Sequence, residues 1–243
     1  MKLLNGKAIL ITGAAKRVGR LFALACAQAG ADILIHHGHS EQEALQVKAE
    51  IESLGQQAWV IASDLGQPAE AASLISRANE FSPLFALVNS AAIFESLSFA
   101  ETSQEDWERH MAVNLTAPFL LSQTFAKQIP ADGEGRIVNI LDWRALRPGA
   151  DHFLYTISKA SLAALTQSLA VALAPHITVN GLALGAILPS VDNPSASEKI
   201  MENVPAKRWS EAHEVEDGLL FLLTGPAYIT GEIIHVDGGR HLV

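Results

Sequence analysis

Short apolar runs alternate along this chain with longer segments whose apolar residues recur at helical spacing. The runs are Ala8–Thr12, Ile33–Ile35, Trp59–Ala62, Phe85–Asn89, Arg136–Leu141, Ile177–Asn180 and Ile233–Val236. The helical segments between them cover about 17–29, 41–54, 67–79, 103–127, 152–174 and 213–224. Runs without polar alternation belong to strands buried on both faces, and a repeating β–α order predicts a parallel sheet covered by helices on each side. Seven strands and six main helices therefore predict one doubly wound α/β domain over residues 1–243, with a seven-stranded parallel sheet. The stretch Gly185–Pro205 breaks the pattern. It carries Pro189, Pro194 and Pro205 among small polar residues and reads as a long mobile connection beside a ligand, with room for one short helix.

Composition narrows the function classes. Apolar residues make up 49% of the 243, enough for a large core, and no apolar run reaches the ~18 residues of a membrane span. Met1–Gly6 lacks the basic and apolar regions of a signal peptide. One cysteine, Cys26, excludes an internal disulfide and a cysteine-based metal site, in keeping with a reducing cytoplasm. A net charge of −9 argues against sequence-independent nucleic-acid binding, which needs a basic surface. It leaves room for a phosphate-bearing cofactor, which needs only a few local positive groups.

The first strand runs into Thr12-Gly13-Ala14-Ala15-Lys16-Arg17-Val18-Gly19 and then a helix. Glycines at Gly13 and Gly19 allow a tight turn and let a pyrophosphate approach the main chain. The helix N-terminus supplies free N–H groups and the positive end of its dipole. The second strand ends in His36-His37-Gly38-His39-Ser40, without the acidic residue that would bind the ribose hydroxyls of NAD. With Lys16 and Arg17 in the adjacent loop, the turn predicts a preference for NADPH. His39 and Ser40 are the candidates for direct phosphate contact; a three-histidine metal site has no acidic partner or helical spacing to support it. Asp64-Leu65, after the third strand, falls where adenine contacts would lie, and Asp64 also fits a helix cap.

Tyr155 and Lys159 stand four apart, on one face of a predicted helix. A phenol near pKa 10 is a poor acid–base group at neutral pH, and a nearby ammonium lowers that value. Lys159 is also suited to hold the nicotinamide ribose. Asn114, amid apolar neighbours, needs partners once buried, either backbone or a water leading to Lys159. Asp142 ends the fifth strand, where ligands bind in open α/β sheets, and could hydrogen-bond Tyr155. Asn89-Ser90-Ala91-Ala92 leaves room for a cofactor at the end of the fourth strand. Phe94, just beyond, is a core residue or a stacking platform for a flat heterocycle.

The glycine turn, Asn114, Tyr155 and Lys159, in this order, resemble the short-chain dehydrogenase/reductase family over essentially the whole chain. Asn180-Gly181 and the ending Ile229-Thr230-Gly231 to Val236-Asp237-Gly238-Gly239 are similar to the family too. Within it, Asp142 and the turn Thr12–Gly19 resemble the pteridine reductases and the dihydromonapterin and dihydrofolate reductase group, as does the ending Asp237–Leu242. The resemblance implies a Rossmann-type fold and an NADPH-dependent reduction of a pterin or dihydropterin, with Tyr155 as proton donor. It implies that Arg17 faces both cofactor phosphate and substrate, that His36 and Ser40 lie in the phosphate segment, and that Phe94 stacks on the pterin. It also implies cofactor contacts at Gly185 and Ile187 and a homotetramer built on the helices at 103–127 and 152–174. The chain departs from the pattern at His39, where pteridine reductases carry arginine, at Asn89–Ala92 for Asn-Asn-Ala-Gly, and at Leu184-Gly185 for Pro-Gly. A general carbonyl reductase or alcohol dehydrogenase acting on ketoacyl, sugar or other ketone substrates is the second reading, and a non-catalytic dinucleotide sensor the third.

Overall fold

A computed structural model of the chain describes residues 3–188 and 201–243. Seven parallel strands form one sheet in the order β3-β2-β1-β4-β5-β6-β7. They are β1 (Ala8–Ile11), β2 (Asp32–His37), β3 (Ala58–Ala62), β4 (Leu84–Asn89), β5 (Gly135–Asp142), β6 (Ile177–Leu184) and β7 (Ile233–Val236). The helices are α1 (Arg17–Gln28), α2 (Glu41–Ser53), α3 (Pro68–Asn79), α4 (Gln104–Met111), α5 (Ala117–Gln128), α6 (Phe153–Leu173) and α7 (Ala212–Thr224). This is the Rossmann-like doubly wound arrangement expected.

Strand periodicity builds the two cores. Ile9 and Ile11 of β1 face one side and pack with Phe22 and Cys26 of α1, Val47 of α2 and Leu219 of α7. Ala8 and Leu10 face the other and pack with Leu74 of α3 and Leu121 and Phe125 of α5. The strand order reverses between β1 and β4, so the crevice at their C-terminal ends is the place for a ligand. Thr12 pins the two ends together: its Oγ1 accepts the N–H groups of Ser90 and Ala91 at 2.9 and 3.0 Å.

Two expectations change, and one helix needs comment. The helix predicted over 103–127 is interrupted by a π turn at Ala112–Thr116, centred on Asn114. No unbroken apolar run of ~18 residues occurs, but α6, with 21 residues and a mean hydropathy of 1.2, is long and apolar enough by composition to cross a membrane. Its alanines raise that mean, while its inner face carries the buried polar residues Tyr155, Ser158, Lys159 and Thr166. Finally, β6 continues to Leu184, past the predicted end at Asn180, because each residue from Ile177 pairs in register with β5. Most of the loop expected over 185–205 lies outside the described residues.

Candidate active site

The glycine turn is fixed from below. Gly13 adopts φ +67 and its N–H donates to Nδ1 of His36 at 3.2 Å. The other ring nitrogen of His36 lies 3.0 Å from the Ser63 carbonyl, so the buried ring is the neutral tautomer with its hydrogen on Nε2. Both nitrogens are engaged inside the protein. This corrects the phosphate contact expected of His36: it holds the turn that would hold the phosphate. Burial pushes its pKa from 6.5 down to about 4. The unfolded chain therefore binds the extra proton first, so stability is complete above pH 6.5 and is lost as pH falls through 4. At ~1.4 kcal/mol per unit, this amounts to about 3 kcal/mol. Urea unfolding between pH 7 and 4 is expected to show this slope in the native protein and to lack that part of it in His36→Gln. Identical slopes in the two proteins would contradict the assignment.

The turn fits a pyrophosphate. A Cβ on Gly19 would stand 2.2 Å from the Gly13 carbonyl oxygen, so only glycine permits the close wrap of turn against helix. α1 begins at Arg17 with no side-chain cap, leaving its first N–H groups for an anion. Arg17 itself has φ +50, is exposed, and reaches the Leu188 carbonyl at 3.4 Å, linking the turn to the stretch after β6. Val18 packs on the core beneath. Lys16 is paired with Glu43 at 2.7 Å, which offsets the charge expected to face phosphate. His39 is exposed, and Ser40 is the N-cap of α2 without a side-chain cap bond. Asp64 does not cap α3, whose N-cap is Gln67; its Oδ1 accepts the Gly66 N–H instead. Leu65 is buried. Asn89 donates to Asn139, which donates to Thr166, and the Asn89 Oδ1 is buried without a partner at the crevice floor. Gly185 packs against Asp237, where a Cβ would meet the Asp237 Cα at 2.6 Å, and the Ile187 side chain is buried.

Above the crevice, β5 and α6 bring Asp142, Tyr155 and Lys159 together. The Tyr155 hydroxyl lies 3.5 Å from Asp142 Oδ2. Lys159 Nζ donates to the Ile140 carbonyl at 2.6 Å and stands 5.6 Å from the Tyr155 ring centroid. Burial pushes the Tyr155 phenol well above 10, and the Asp142 charge adds to the rise; only Arg144 acts against it. This reverses the expected lowering by Lys159. That cation is committed to a backbone carbonyl and is itself pushed down to about 8 by burial, with Asp142 partly offsetting the fall. Burial likewise raises the Asp142 carboxyl, against the pull of Arg144. The group as it stands keeps a proton on Tyr155 at neutral pH.

Asn114 spends its amide on the protein. Oδ1 accepts from Ile93 N–H at 2.8 Å, and Nδ2 donates to the Ile93 carbonyl and to Ser158 Oγ, both at 3.0 Å. Ser158 in turn donates to the Tyr155 carbonyl at 2.8 Å. The π turn thus ties the loop after β4 to the first turns of α6, and π turns recur at functional sites. Phe94 is not core: it is 55% exposed, with its ring edge-on to Tyr155 at 4.7 Å. Sequence reasoning missed His152, which stacks on Phe94 at 4.1 Å from a left-handed backbone and donates Nδ1–H to the Glu95 carbonyl. No local pattern marks it. It also missed Arg144, which bonds Asp142 and Asp151. A separate groove of about 380 Å³ beside the β3 edge, lined by His37, Leu45, Trp59 and Phe81, shares no residue with the Tyr155 group.

Comparison with known proteins agrees with this geometry. The family described as Enoyl-(Acyl carrier protein) reductase matches residues 13–241. The chain is 34% identical to an L-rhamnose 1-dehydrogenase (NAD(P)(+)) of Sphingomonas sp., covering 100% of this chain and 99% of that protein. It is 31% identical to a 3-oxoacyl-[acyl-carrier-protein] reductase of Synechocystis sp., covering 98% of each. Among solved structures, FolM alternative dihydrofolate reductase 1 from Brucella canis, complexed with NADP, superposes with a TM-score of 0.93 at 32% identity, covering 100% of this chain and 97% of that one. With the glycine turn, Asn114, Tyr155 and Lys159 placed around one crevice, the chain belongs to the short-chain dehydrogenase/reductase family.

Proposed function

We propose that this protein is an NADPH-dependent reductase of a pterin or dihydropterin. The observation that carries the reading is the Phe94 ring set edge-on to Tyr155, which itself stands beside Asp142. Phe94 takes one flat ring at stacking distance, that of His152, which supports a platform for a planar heterocycle. The likeness to the Brucella protein supports the same substrate class. The chain works as one domain.

The cofactor, when bound, supplies a hydride to the carbon of a C=N bond. Gly13, Gly19 and the N-terminus of α1 would hold its pyrophosphate, and Asn89, Ser90 and Ala91 would border its middle. Lys159 would hold the nicotinamide ribose. Tyr155 donates its proton to the substrate nitrogen, and the phenolate left behind faces Lys159 and Arg144. Asp142 orients the hydroxyl and takes part in its reprotonation. Asn114 braces Tyr155 through Ser158 and would keep a water chain from Lys159 to solvent.

The test is oxidation of NADPH with dihydrobiopterin or dihydrofolate, followed by absorbance with and without methotrexate. Methotrexate-sensitive oxidation is the expected result. No oxidation with NADPH still bound would remove the pterin reading. A ketone or sugar substrate is the second reading, favoured by the L-rhamnose dehydrogenase relative, and the same assay with a ketone panel separates the two.

Homotetramer formation is part of the proposal. Trp107 of α4, Phe119 of α5 and Val171 of α6, the last 84% exposed, leave apolar surface on these helices. Sedimentation is expected to give the mass of four chains, and a monomer would overturn it. The buried, unpaired Cys26 fits a cytoplasmic setting.

A further inference from the structure

We propose that Arg144 is the positioning residue of the Asp142–Tyr155 pair, and that Trp143, sandwiched between Arg144 and Arg240, ties this pair to the C-terminal turn. The inference rests on the reductase reading only for the proton step at Tyr155, and it holds whichever compound is reduced.

Asp142 ends β5 and caps the short turn Trp143–Ala145. Its Oδ1 accepts the Arg144 backbone N–H at 2.9 Å and lies 3.5 Å from the Arg144 guanidinium. That leaves Oδ2 for the Tyr155 hydroxyl. The other end of the guanidinium donates to Asp151 Oδ2 at 2.7 Å. Asp151 lies in the turn that leads into α6 and hence to Tyr155. Arg144 therefore spans the two elements that carry the acid–base pair, with only 16% of its side chain exposed. A carboxylate with one oxygen held in this way does not rotate freely, so its second oxygen stays on the tyrosine side.

Behind Arg144 lies the stack. Its guanidinium carbon is 4.6 Å from the centre of the Trp143 ring, and that of Arg240 is 4.4 Å from it. Both fall within the ~6 Å at which a guanidinium is drawn to an aromatic face. Arg240 is anchored in turn, donating to the carbonyls of Asn203 and Val243. A continuous set of contacts thus runs from the last residue of the chain, and from the segment at 203, to the Asp142 carboxyl.

The charged and titratable groups around Asp142 come from every element packed on its turn. α6 contributes Tyr155 and Lys159, the turn before it Asp151, and the Asp142 turn Arg144. The C-terminal turn carries Arg240 over Trp143, and His241 paired with Asp237 at 2.8 Å. β6 contributes none, since Leu184 stands opposite Asp142. Among the described residues, Arg144 is thus the cation bonded to this carboxyl. Its removal should let burial raise Asp142 further and release the carboxyl to turn.

The experiment compares Arg144→Gln, Arg144→Lys and Arg240→Ala with the native protein, using whichever pterin or ketone the native protein reduces. In the kcat/KM pH profile, the limb to follow is the one that disappears in Asp142→Asn. Arg144→Gln is expected to lower kcat about tenfold to a hundredfold and to move that limb up by about one pH unit or more. Arg144→Lys should return the limb towards its native position, while kcat stays low because the two-ended span is lost. Arg240→Ala should lower kcat by a smaller factor with the limb in place. A uniform loss in Arg144→Gln, with the limb unmoved, would overturn the proposal and leave a packing role. If no compound is turned over, carbon NMR titration of labelled aspartate carboxyls reads the same shift, with the Asp142 signal identified by Asp142→Asn. An unmoved Asp142 signal in Arg144→Gln, or in Arg144→Met if the first variant does not fold, would be equally decisive against it.

Discussion

Tyr155→Phe is expected to lower kcat by about 10³-fold while NADPH affinity changes less than about threefold. The substitution removes one oxygen and keeps the ring, whose packing against Phe94 is unaffected. The lost hydroxyl has Asp142 as its protein partner, at a long 3.5 Å, so folding should suffer little. The chemistry should suffer much more, because burial and the Asp142 charge keep the phenol protonated, as a proton donor must be. Stopped-flow single turnovers with prebound NADPH separate the proton step from cofactor binding. Retention of kcat within tenfold would mean that the proton comes from elsewhere. The native profile should also fall above about pH 8, where the free protein's Lys159 gives up its proton. The sign follows from burial: the cation persists below that pH and is absent above it.

The second large effect is expected at Gly19→Ala. The added methyl would stand 2.2 Å from the Gly13 oxygen and 2.8 Å from its carbonyl carbon, both backbone atoms. The turn has little room to retreat. Gly13 is bonded to His36 on one side and approaches Ala91 on the other, where its own Cβ would come within 3.0 Å of the Ala91 Cα. Overpacking of this kind costs about 1–3 kcal/mol in stability. Moving the turn should also raise the Kd for NADPH by about a hundredfold, or ~2.7 kcal/mol. Calorimetric titration with NADPH, alongside a thermal melt, measures both. Near-native affinity in a folded variant would show that the turn does not hold the pyrophosphate. Loss of affinity with the melt unchanged would place the whole effect on binding.

The layout of the sheet was legible in the chain because each strand is buried on both faces. Such strands read as unbroken Ile, Val and Leu runs, and every main helix between them carries an apolar stripe. The glycine turn was legible because Gly13 and Gly19 answer to local backbone demands, and the Tyr155–Lys159 pair because four residues make one helical turn. These features depend on neighbours in sequence. His36 could not be read in this way. Its role follows from Gly13, twenty-three residues earlier, and from Ser63, just past the end of the next strand, and only the assembled sheet brings them to its two nitrogens. The π turn at Asn114 was hidden for a similar reason: an amide in an apolar helix does not announce that Ile93 and Ser158 will claim it. The direction in which Tyr155 titrates was decided by burial, a property of the packed molecule, against the local rule that a neighbouring lysine lowers a phenol. Arg144, Trp143 and Arg240 show the same division. Two of them follow Asp142 in sequence, but the third lies almost a hundred residues on, and folding alone stacks it on Trp143 and so joins the turn at Arg240 to the Asp142 carboxyl.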